Sequence, residues 1–572
     1  MRTAAAYAAN LLLGLALVSG TAICGADPVD RAATVLDKPS PAVPTRYIVQ
    51  AATVSVARER VARAGGEVRQ ELAVINGVSA MLSTAQVTRL RADTSLRLFA
   101  DRALETFALF PVFTDGTALT FKPKSFEANY PMLVGADTLQ SGGINGQGVT
   151  IAILDSGFWY DAKDDVKGRI LASIDVVNGG TNPVTADPFG HGSHITSIAA
   201  GSFGIAPKAN VVIVRAFNAN GVGNYSDVIA GLGWIVANRQ KYNIRVLNLS
   251  FGAPPQSNYW DDPLNQAVMA AWRAGIVVVT AAGNEGPTPM TIGVPGNVPY
   301  VVTVGAQTDN YTPYDPTDDR LASFSSTGPT LEGFIKPEVV APGGHLVGSM
   351  SYQSYLANID PGSMNKDQLL FTMSGTSQAA AVTSGVVALM IQADPTLTPD
   401  LVKCRLIASA SPAISSTGVL AYSVFQQGAG LINATNALSS AASGCANQGL
   451  NIADDLAGVR HFGGPANQDA AGNYYVMDMA GSTWGRTLSG DGYTWSRGYT
   501  WSKGFTWTSR YTWSSGYTWS RGYTWSKGYT WSRGYTWSTG YTWSRTLPWW
   551  GTTGVAQSAA KSASVSSWVP NE

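Results

Sequence analysis

Three side chains of complementary chemistry follow one another along the chain, each close to glycine. Asp155 ends an apolar run, His191 stands between two glycines, and Ser377 follows a Gly-Thr pair at the start of a second apolar run. A serine hydroxyl is a weak nucleophile until an imidazole accepts its proton. A carboxylate beside that imidazole orients it and stabilises its cation. If the three side chains meet in space, they have the chemistry of acyl transfer.

Each of these residues also has an ordinary structural explanation. An aspartate before Ser-Gly is a common turn residue, and a serine at the start of a helix commonly caps it. His191 and His194 could suggest a metal pair, but no Cys or Glu pair lies near them at zinc-site spacing. We therefore interpret His194 as structural. The joint occurrence of the three residue types, in one order, favours catalysis.

Asp155, His191 and Ser377 with their glycine-containing surroundings resemble the motifs of subtilisin-like serine peptidases, which carry Asp, His and Ser in this order. The resemblance covers about residues 130–440. It implies a serine endopeptidase that acts on polypeptides and needs no cofactor for its chemistry. It further implies that the side-chain amide of Asn284, together with the backbone N–H of Ser377, stabilises the oxyanion. Considered alone, Asn284 beside Gly283 could simply occupy a left-handed turn.

The same resemblance assigns substrate-binding residues on both sides of a cleft. An extended peptide would bind through main-chain hydrogen bonds, which makes binding tolerant of sequence. Small residues, including Ala281, would leave the pocket for the residue before the scissile bond deep and uncharged, so large apolar residues are expected there. The implied residues are Gly221, Val222 and Gly223 at one edge, Ser250, Phe251 and Gly252 at the other, and Ala282, Gly283 and Gly293 in the pocket.

Two departures from the family pattern concern the nucleophile helix and calcium. Ala381 stands where many members have proline, so the position of Ser377 could differ slightly. No Asn/Asp-rich insertion follows the His191 block, which argues against the strong calcium loop of some members. A structural calcium ion elsewhere is left open without an assigned ligand set, and the available carboxylates are Asp161, Asp164, Asp165 and Asp187.

The elements around the catalytic residues are those of an α/β protein. The near-continuous apolar run 149–154 predicts a buried parallel strand, and Asp155 then lies at its carboxyl end, where chemistry collects in such sheets. The resemblance implies a mostly parallel, twisted sheet flanked by helices over residues 130–445. Cys404 and Cys445 are expected to pair in an exported chain and to close a loop of about 40 residues, with free thiols as the alternative.

The N-terminal third indicates an exported precursor. Arg2 and the apolar run 11–18 predict a signal peptide at 1–26 that is too short to span a membrane, followed by a Pro-rich linker at 27–45. Residues 46–105 alternate predicted strands and helices around the hairpin signal Asn76-Gly77, which suggests a ferredoxin-like α+β unit. This unit resembles the family's inhibitory propeptide, with a generic small domain as the alternative. Self-cleavage is then expected between about Leu104 and Tyr130, in a processing linker at 106–129.

The C-terminal part is compositionally different. A Gly/Asn-rich linker is predicted at 446–482, a Tyr-Thr-Trp-Ser repeat with a six-residue period at 483–550, and a short tail at 551–572. The repeat is compatible with a β-type architecture or with a disordered tail. No Asp or Glu occurs between Asp491 and Glu572, whereas Lys and Arg do. Alternating rings and cations favour either self-packing or contact with cell-envelope glycans or another surface.

Composition narrows the function classes. The net charge is zero and the pI is near 6.9, so nothing points to nucleic acid. We expect a secreted or envelope-associated enzyme. The alternative is a catalytically inactive adhesion or binding protein that acts through its aromatic repeats. Retention of all four site residues, namely Asp155, His191, Asn284 and Ser377, argues against that alternative.

Overall fold

The computed structural model describes residues 44–106, 127–160, 165–416, 420–468 and 474–476, together with two short strands at 505–507 and 524–525. The predicted signal peptide, nearly all of the 27–45 linker, most of the processing linker, most of the repeats and the 551–572 tail lie outside these residues. Within the described part of the chain, no helix combines the length and apolar character that a membrane crossing needs.

The first folded unit is a four-stranded antiparallel sheet with two helices packed against it. Thr53 and Ser83 cap the two helices through their hydroxyls, and Asn76 adopts the left-handed turn (φ 54°) that leads into the third strand. The strands lie in the order β2-β3-β1-β4. The elements are β1 (Thr45–Gln50), α1 (Val54–Arg63), β2 (Glu67–Leu72), β3 (Gly77–Leu82), α2 (Thr84–Arg91) and β4 (Arg97–Ala100).

The second unit is built on an eight-stranded sheet. Seven strands lie in the order β14-β13-β12-β10-β6-β8-β7, and β15 pairs with β13. All pairs are parallel except β13 with β14. The strands from the end of the first unit onward are β5 (Ala103–Thr106), β6 (Thr150–Asp155), β7 (Ile170–Asp175), β8 (Asn210–Arg215), β9 (Val222–Asn224), β10 (Ile244–Leu249), β11 (Phe251–Gly252), β12 (Val277–Ala281), β13 (Val302–Thr308), β14 (Arg320–Leu321), β15 (Val339–Pro342), β16 (Leu346–Ser349) and β17 (Leu370–Met373).

Helices flank this sheet and complete its core. The central strands β6 and β12 are buried along their whole length, which explains their near-continuous apolar sequences. The helices are α3 (Tyr130–Leu133), α4 (Ala136–Ser141), α5 (His191–Ala200), α6 (Tyr225–Asn238), α7 (Pro263–Arg273), α8 (Tyr355–Ile359), α9 (Thr376–Ala393), α10 (Pro399–Ser409), α11 (Val424–Gln427) and α12 (Ala434–Ser439). The predicted class, a mostly parallel sheet flanked by helices, is confirmed for this region.

Helix α9 passes through the middle of the molecule. It packs against β10, β12 and β13 and is buried from Thr376 to Ile391. A helix that is apolar on every side is stable only when it is enclosed in this way. The nucleophile candidate Ser377 is therefore mounted on a helix that is buried from its first residue to Ile391.

The segment after the catalytic region is folded, which corrects the prediction of a linker at 446–482 for its described part. Cys404 and Cys445 form a disulfide bond, with their Cα atoms 5.2 Å apart. The chain continues into α13 (Ile452–Leu456), β18 (His461–Gly463), β19 (Ala466–Gln468) and β20 (Tyr474–Val476). Buried Asp455 and Phe462 attach this segment to the domain, and composition alone did not reveal those contacts.

Two short strands are described within the repeats. β21 (Phe505–Trp507) pairs antiparallel with β18, and β22 (Thr524–Trp525) pairs parallel with β21.

Candidate active site

The predicted catalytic residues all lie where parallel strands of the main sheet end. Asp155 is the last residue of β6, and Asn284 follows β12 by three positions. His191 is the first residue of α5, and Ser377 is the second residue of α9. The carboxyl ends of neighbouring parallel strands share one edge of a sheet, so the fold gathers these residues there.

The aspartate and the histidine form a buried pair. Nδ1 of His191 lies 2.8 Å from Oδ1 and 3.0 Å from Oδ2 of Asp155, and both side chains are at most 1% exposed. A carboxylate only accepts hydrogen bonds, so the proton of the neutral ring is on Nδ1. Nε2 of His191 has no hydrogen-bond partner among the described residues. The ring therefore presents a lone pair that can accept a proton.

Asp187 fixes the turn that carries His191. Its Oδ1 accepts from Ser156 Oγ and Gly190 N, each at 2.8 Å, and its Oδ2 accepts from Ser193 N and Oγ, each at 2.7 Å. Both oxygens are thus occupied by donors from the protein. This corrects the inclusion of Asp187 among the carboxylates available to calcium.

The nucleophile candidate is tied to the end of β10. Ser377 Oγ donates to the carbonyl of Ser250 at 3.1 Å, and Ser250 Oγ donates to the carbonyl of Ser377 at 3.1 Å. Asn248 in turn donates to Ser250 Oγ at 2.8 Å. The N-cap of α9 is Gly375 and not Ser377. The hydroxyl of Ser377 therefore does not have the capping role that is common for a serine at a helix start.

Thr376 orients the amide of Asn284, a role that the sequence analysis missed. Oδ1 of Asn284 accepts from Thr376 N at 3.0 Å and from Thr376 Oγ1 at 2.9 Å. Thr376 Oγ1 also accepts from Gly283 N at 3.2 Å. Because two donors hold the oxygen end of the amide, the nitrogen end is set as the donor. The only sequence signal was that Thr376 directly precedes the serine.

Gln378, the residue after Ser377, connects the two catalytic helices. Nε2 of His194 donates to the carbonyl of Phe371 at 3.1 Å, so Nδ1 accepts, and Gln378 Nε2 donates to it at 3.4 Å. Burial, with the nearby His191 as a second cause, lowers the pKa of His194 to about 3. The ring is neutral at working pH, which fits the structural role expected for His194. Oε1 of Gln378 is buried without a hydrogen-bond partner among the described residues.

The predicted substrate edges are occupied by the protein's own chain. β5 lies between β9 and β11 and is antiparallel to both. Thr106 pairs with Phe251, Glu105 pairs with Val222 and Gly252, and Leu104 pairs with Gly223. The N–H of Thr106 also donates to the carbonyl of Gly221 at 3.1 Å. Five of the six predicted edge residues thus contact β5. The sixth, Ser250, is hydrogen-bonded to Ser377.

A cavity of about 610 Å³ adjoins this strand. Gly283, Asn284 and Gly293 line it, whereas Ala282 is buried behind the wall and donates to the carbonyl of Val304. Glu285 also lines it. The remaining lining residues are Ala103, Glu105, Thr106, Gly252, Ala253, Pro254, Pro255, Met290 and Thr291.

The described residues include no group of three or more side chains suited to holding a metal ion. Asp161, Asp164 and the side chain of Asp165 lie outside the described part, so the structure does not test them as calcium ligands.

Comparison with known proteins identifies relatives of this region. Residues 146–442 match the model of the subtilase family. The chain is 30% identical to subtilisin E of Bacillus subtilis over 387 residues, which cover 66% of the chain and 84% of that protein. The chain belongs to the subtilase family. This family consists of serine endopeptidases, and the catalytic region described above is one of its members.

Other relatives extend the comparison. The subtilase is 40% identical to the serine protease AprX of Bacillus subtilis over 277 residues, a match that spans 46% of the chain and 60% of AprX. It is 32% identical to subtilisin DY of Bacillus licheniformis over 309 residues, or 53% of the chain and 94% of that protein. The structure of fervidolysin from Fervidobacterium pennivorans aligns with a TM-score of 0.56 at 20% identity, over 77% of the chain and 66% of fervidolysin. That likeness supports the fold.

Proposed function

We propose that this subtilase is an exported endopeptidase that cleaves polypeptides through Ser377 and is made as a self-processed precursor. The observation that carries the proposal is the extended strand β5. It lies in the cleft between the two predicted substrate edges and runs toward the serine. The inactive-adhesin alternative has no comparable support.

The proposed reaction uses four side chains. Ser377 Oγ attacks the carbonyl carbon and passes its proton to Nε2 of His191, while Asp155 holds Nδ1–H and stabilises the ring cation. The backbone N–H of Ser377 and Nδ2 of Asn284 stabilise the oxyanion. The C–N bond then breaks, and His191 gives its proton to the leaving amine. A water molecule hydrolyses the acyl-enzyme by the same sequence in reverse, with His191 accepting the proton of the water.

The register of β5 predicts which bond is cut during maturation. Thr106 pairs with Phe251, so the same register continued by one position would set Phe107 opposite Ser250, whose carbonyl accepts from Ser377 Oγ. Phe107 itself lies outside the described residues. We infer that the scissile bond joins Phe107 to Ala108, within the expected interval. A phenylalanine before this bond agrees with the proposed preference for large apolar residues.

Polar contacts hold the first unit, residues 46–105, on the catalytic region as its inhibitor. Arg97 pairs with Asp261 at 2.6 Å, and Arg102 pairs with Asp262 at 3.0 Å. Asp101 accepts from Ser226 N at 2.9 Å and from Ser226 Oγ at 2.6 Å, near the start of α6. These contacts would keep β5 in the cleft after the chain is cut.

The decisive test is Ser377→Ala in the full-length chain. We expect this variant to accumulate uncut, whereas the unchanged protein matures to a form that begins at Ala108 and reacts with a fluorophosphonate probe. Ser439→Ala is the matched control, because its hydroxyl bonds only within its own helix α12. Normal processing of Ser377→Ala would refute self-cleavage. A mature protein that takes up no probe would favour the adhesin.

For the repeats at 483–550 we propose contact with envelope glycans or another surface. The enzyme would then be secreted and, where this contact forms, associated with the cell envelope. Binding of the full chain to cells and insoluble polymers is compared with that of a chain ending at Gly481. Equal binding by the two would rule out this role.

A further inference from the structure

An exposed group of apolar side chains lies on and just before helix α8, next to the His191 turn. Tyr352, Tyr355 and Ile359 are 49%, 44% and 50% exposed, and we call these three residues the α8 patch. They are half of the six large hydrophobic side chains exposed to this degree in the described residues, yet they fall within eight positions. Three exposed apolar residues so close together in the sequence make this segment a candidate site of interaction.

Packing of the helix does not account for the patch. Leu356 and Ala357 form the buried side of α8 and belong to a cluster with Phe189 and Phe371. Backbone bonds also fix the helix, since Tyr355 N donates to the carbonyl of Pro188 at 2.9 Å and Leu356 N donates to that of Phe189 at 3.2 Å. A surface helix normally turns polar side chains outward. Here the outward side of α8 carries Tyr355 and Ile359, and exposed Tyr352 lies just before the helix.

The patch is continuous with the cleft through one aromatic side chain. The rings of Tyr355 and Phe189 stack with centroids 5.8 Å apart and planes 21° apart. Phe189 also packs against Gly221, where an added Cβ would lie only 2.4 Å from the Phe189 ring. The carbonyl of Gly221 in turn accepts from the N–H of Thr106 in β5. Two residues, Gly221 and Phe189, therefore connect the chain in the cleft to the patch.

We propose that the α8 patch is an exosite that binds an apolar segment of the polypeptide substrate adjoining the residues held in the cleft. The proposal rests on the endopeptidase function proposed above. The cleft holds its occupant by main-chain hydrogen bonds, which select little among side chains. The patch consists of rings and one aliphatic side chain and has no charged member, so an apolar stretch of the same polypeptide is the occupant that it fits.

The test uses two peptides that share the residues bound in the cleft. One is extended at both ends by a Phe/Leu-rich stretch, and the other by a Ser/Gly stretch of equal length. For the matured enzyme we expect kcat/KM to favour the apolar peptide. In Tyr352→Ser/Ile359→Ser this preference should fall about fivefold to tenfold through KM. Leu171→Ser is the matched control, since Leu171 is 44% exposed near the start of the edge strand β7, and it should keep the preference.

An equal preference in the double variant and the unchanged enzyme would overturn the exosite. So would a change of oligomeric state with an unchanged preference, because the patch would then serve a second copy of the chain. Hydrolysis of neither peptide by the unchanged enzyme would refute the endopeptidase function itself and the exosite with it. If the double variant does not fold, Ile359→Lys provides the same comparison at a half-exposed position.

Discussion

At the residue scale, the site depends on small polar groups beside the four recognised side chains. Asp187 holds the His191 turn with both of its carboxylate oxygens, and Thr376 holds the oxygen end of the Asn284 amide. Neither residue touches a substrate in the proposed mechanism. Their contribution is to set the direction of a catalytic group, and small errors in that direction are costly for turnover.

Thr376→Val tests this positioning. The substitution keeps the side-chain shape but removes the hydroxyl that donates to Asn284 and accepts from Gly283. We expect kcat to fall about fivefold with little change in KM, because one hydrogen bond contributes about 1 kcal/mol and the oxyanion exists only after attack.

Thr383→Val is the control for this measurement. Its hydroxyl lies on the same helix and donates only to the carbonyl of Ala379, one turn earlier. An equal loss of kcat in the two variants would mean that general damage to α9, and not the orientation of Asn284, explains the result.

At the scale of elements, two buried carboxylates share one arginine in the contact between the first unit and helix α6. Nε of Arg46 lies 3.5 Å from Oδ2 of Asp101, and its Nη1 lies 3.6 Å from Oδ1 of Asp227. Both aspartate side chains are 1% exposed. Burial raises the pKa of Asp101 and of Asp227, and hydrogen bonds from Ser226 and Asn178 offset this only in part. One arginine thus faces two buried carboxylates.

The pH dependence of this contact follows from the raised pKa values. A carboxyl group whose pKa is raised on burial takes up a proton when the contact forms. The stabilisation that each carboxyl group gives to the contact is complete below its ordinary pKa of 3.8. This stabilisation is lost as the pH rises through the raised pKa. The cut first unit should therefore separate from the catalytic region faster at pH 7 than near pH 4, close to the ordinary carboxyl pKa of 3.8, as measured by chromatography of the processed complex.

Asp227→Asn removes one of the two negative charges and should slow this separation at pH 7 and flatten its pH dependence. Glu67→Gln is the control, because the Glu67 side chain is 63% exposed and pairs with Arg69 on the surface. If Asp227→Asn and the unchanged protein separate with the same pH profile, the two carboxylates do not govern release.

At the scale of the whole molecule, the segment after the disulfide belongs to the catalytic body. Asp455 accepts from Tyr259 Oη at 2.7 Å, from Tyr300 Oη at 2.6 Å and from His461 Nδ1 at 2.9 Å. The ring of His461 stacks on Trp260 with centroids 4.6 Å apart. Trp260 is followed directly by Asp261 and Asp262, which pair with Arg97 and Arg102 of the first unit.

Asp455→Ala should destabilise the folded protein strongly. Two buried tyrosine hydroxyls would lose their acceptor, and each unsatisfied group costs roughly 1–3 kcal/mol. Urea unfolding should show a free energy of unfolding lower by about 2–5 kcal/mol.

The neighbouring Asp454→Ala is the control for Asp455→Ala, since Asp454 is only partly buried. Similar midpoints for the two variants would show that the segment adds little to the stability of the catalytic body.

The sequence alone determined the class of the catalytic region and predicted which of its groups react. Asp155, His191, Ser377 and Asn284 were recognisable because chemistry restricts residue type and because glycines and apolar runs mark the ends of strands and the starts of helices. The parallel sheet was predictable for the same reason, since strands covered on both faces are continuously apolar.

Only the tertiary structure decided which polar residues support those groups and which segments pack together. The contacts of Thr376, Asp187 and Gln378 join residues distant in the chain, and no local pattern distinguishes such a residue from an ordinary turn or helix residue. The linker prediction at 446–482 failed because composition reports average polarity, whereas Asp455 and Phe462 are buried by particular partners. The place of β5 in the cleft likewise depends on backbone pairing, which side-chain sequence encodes only weakly.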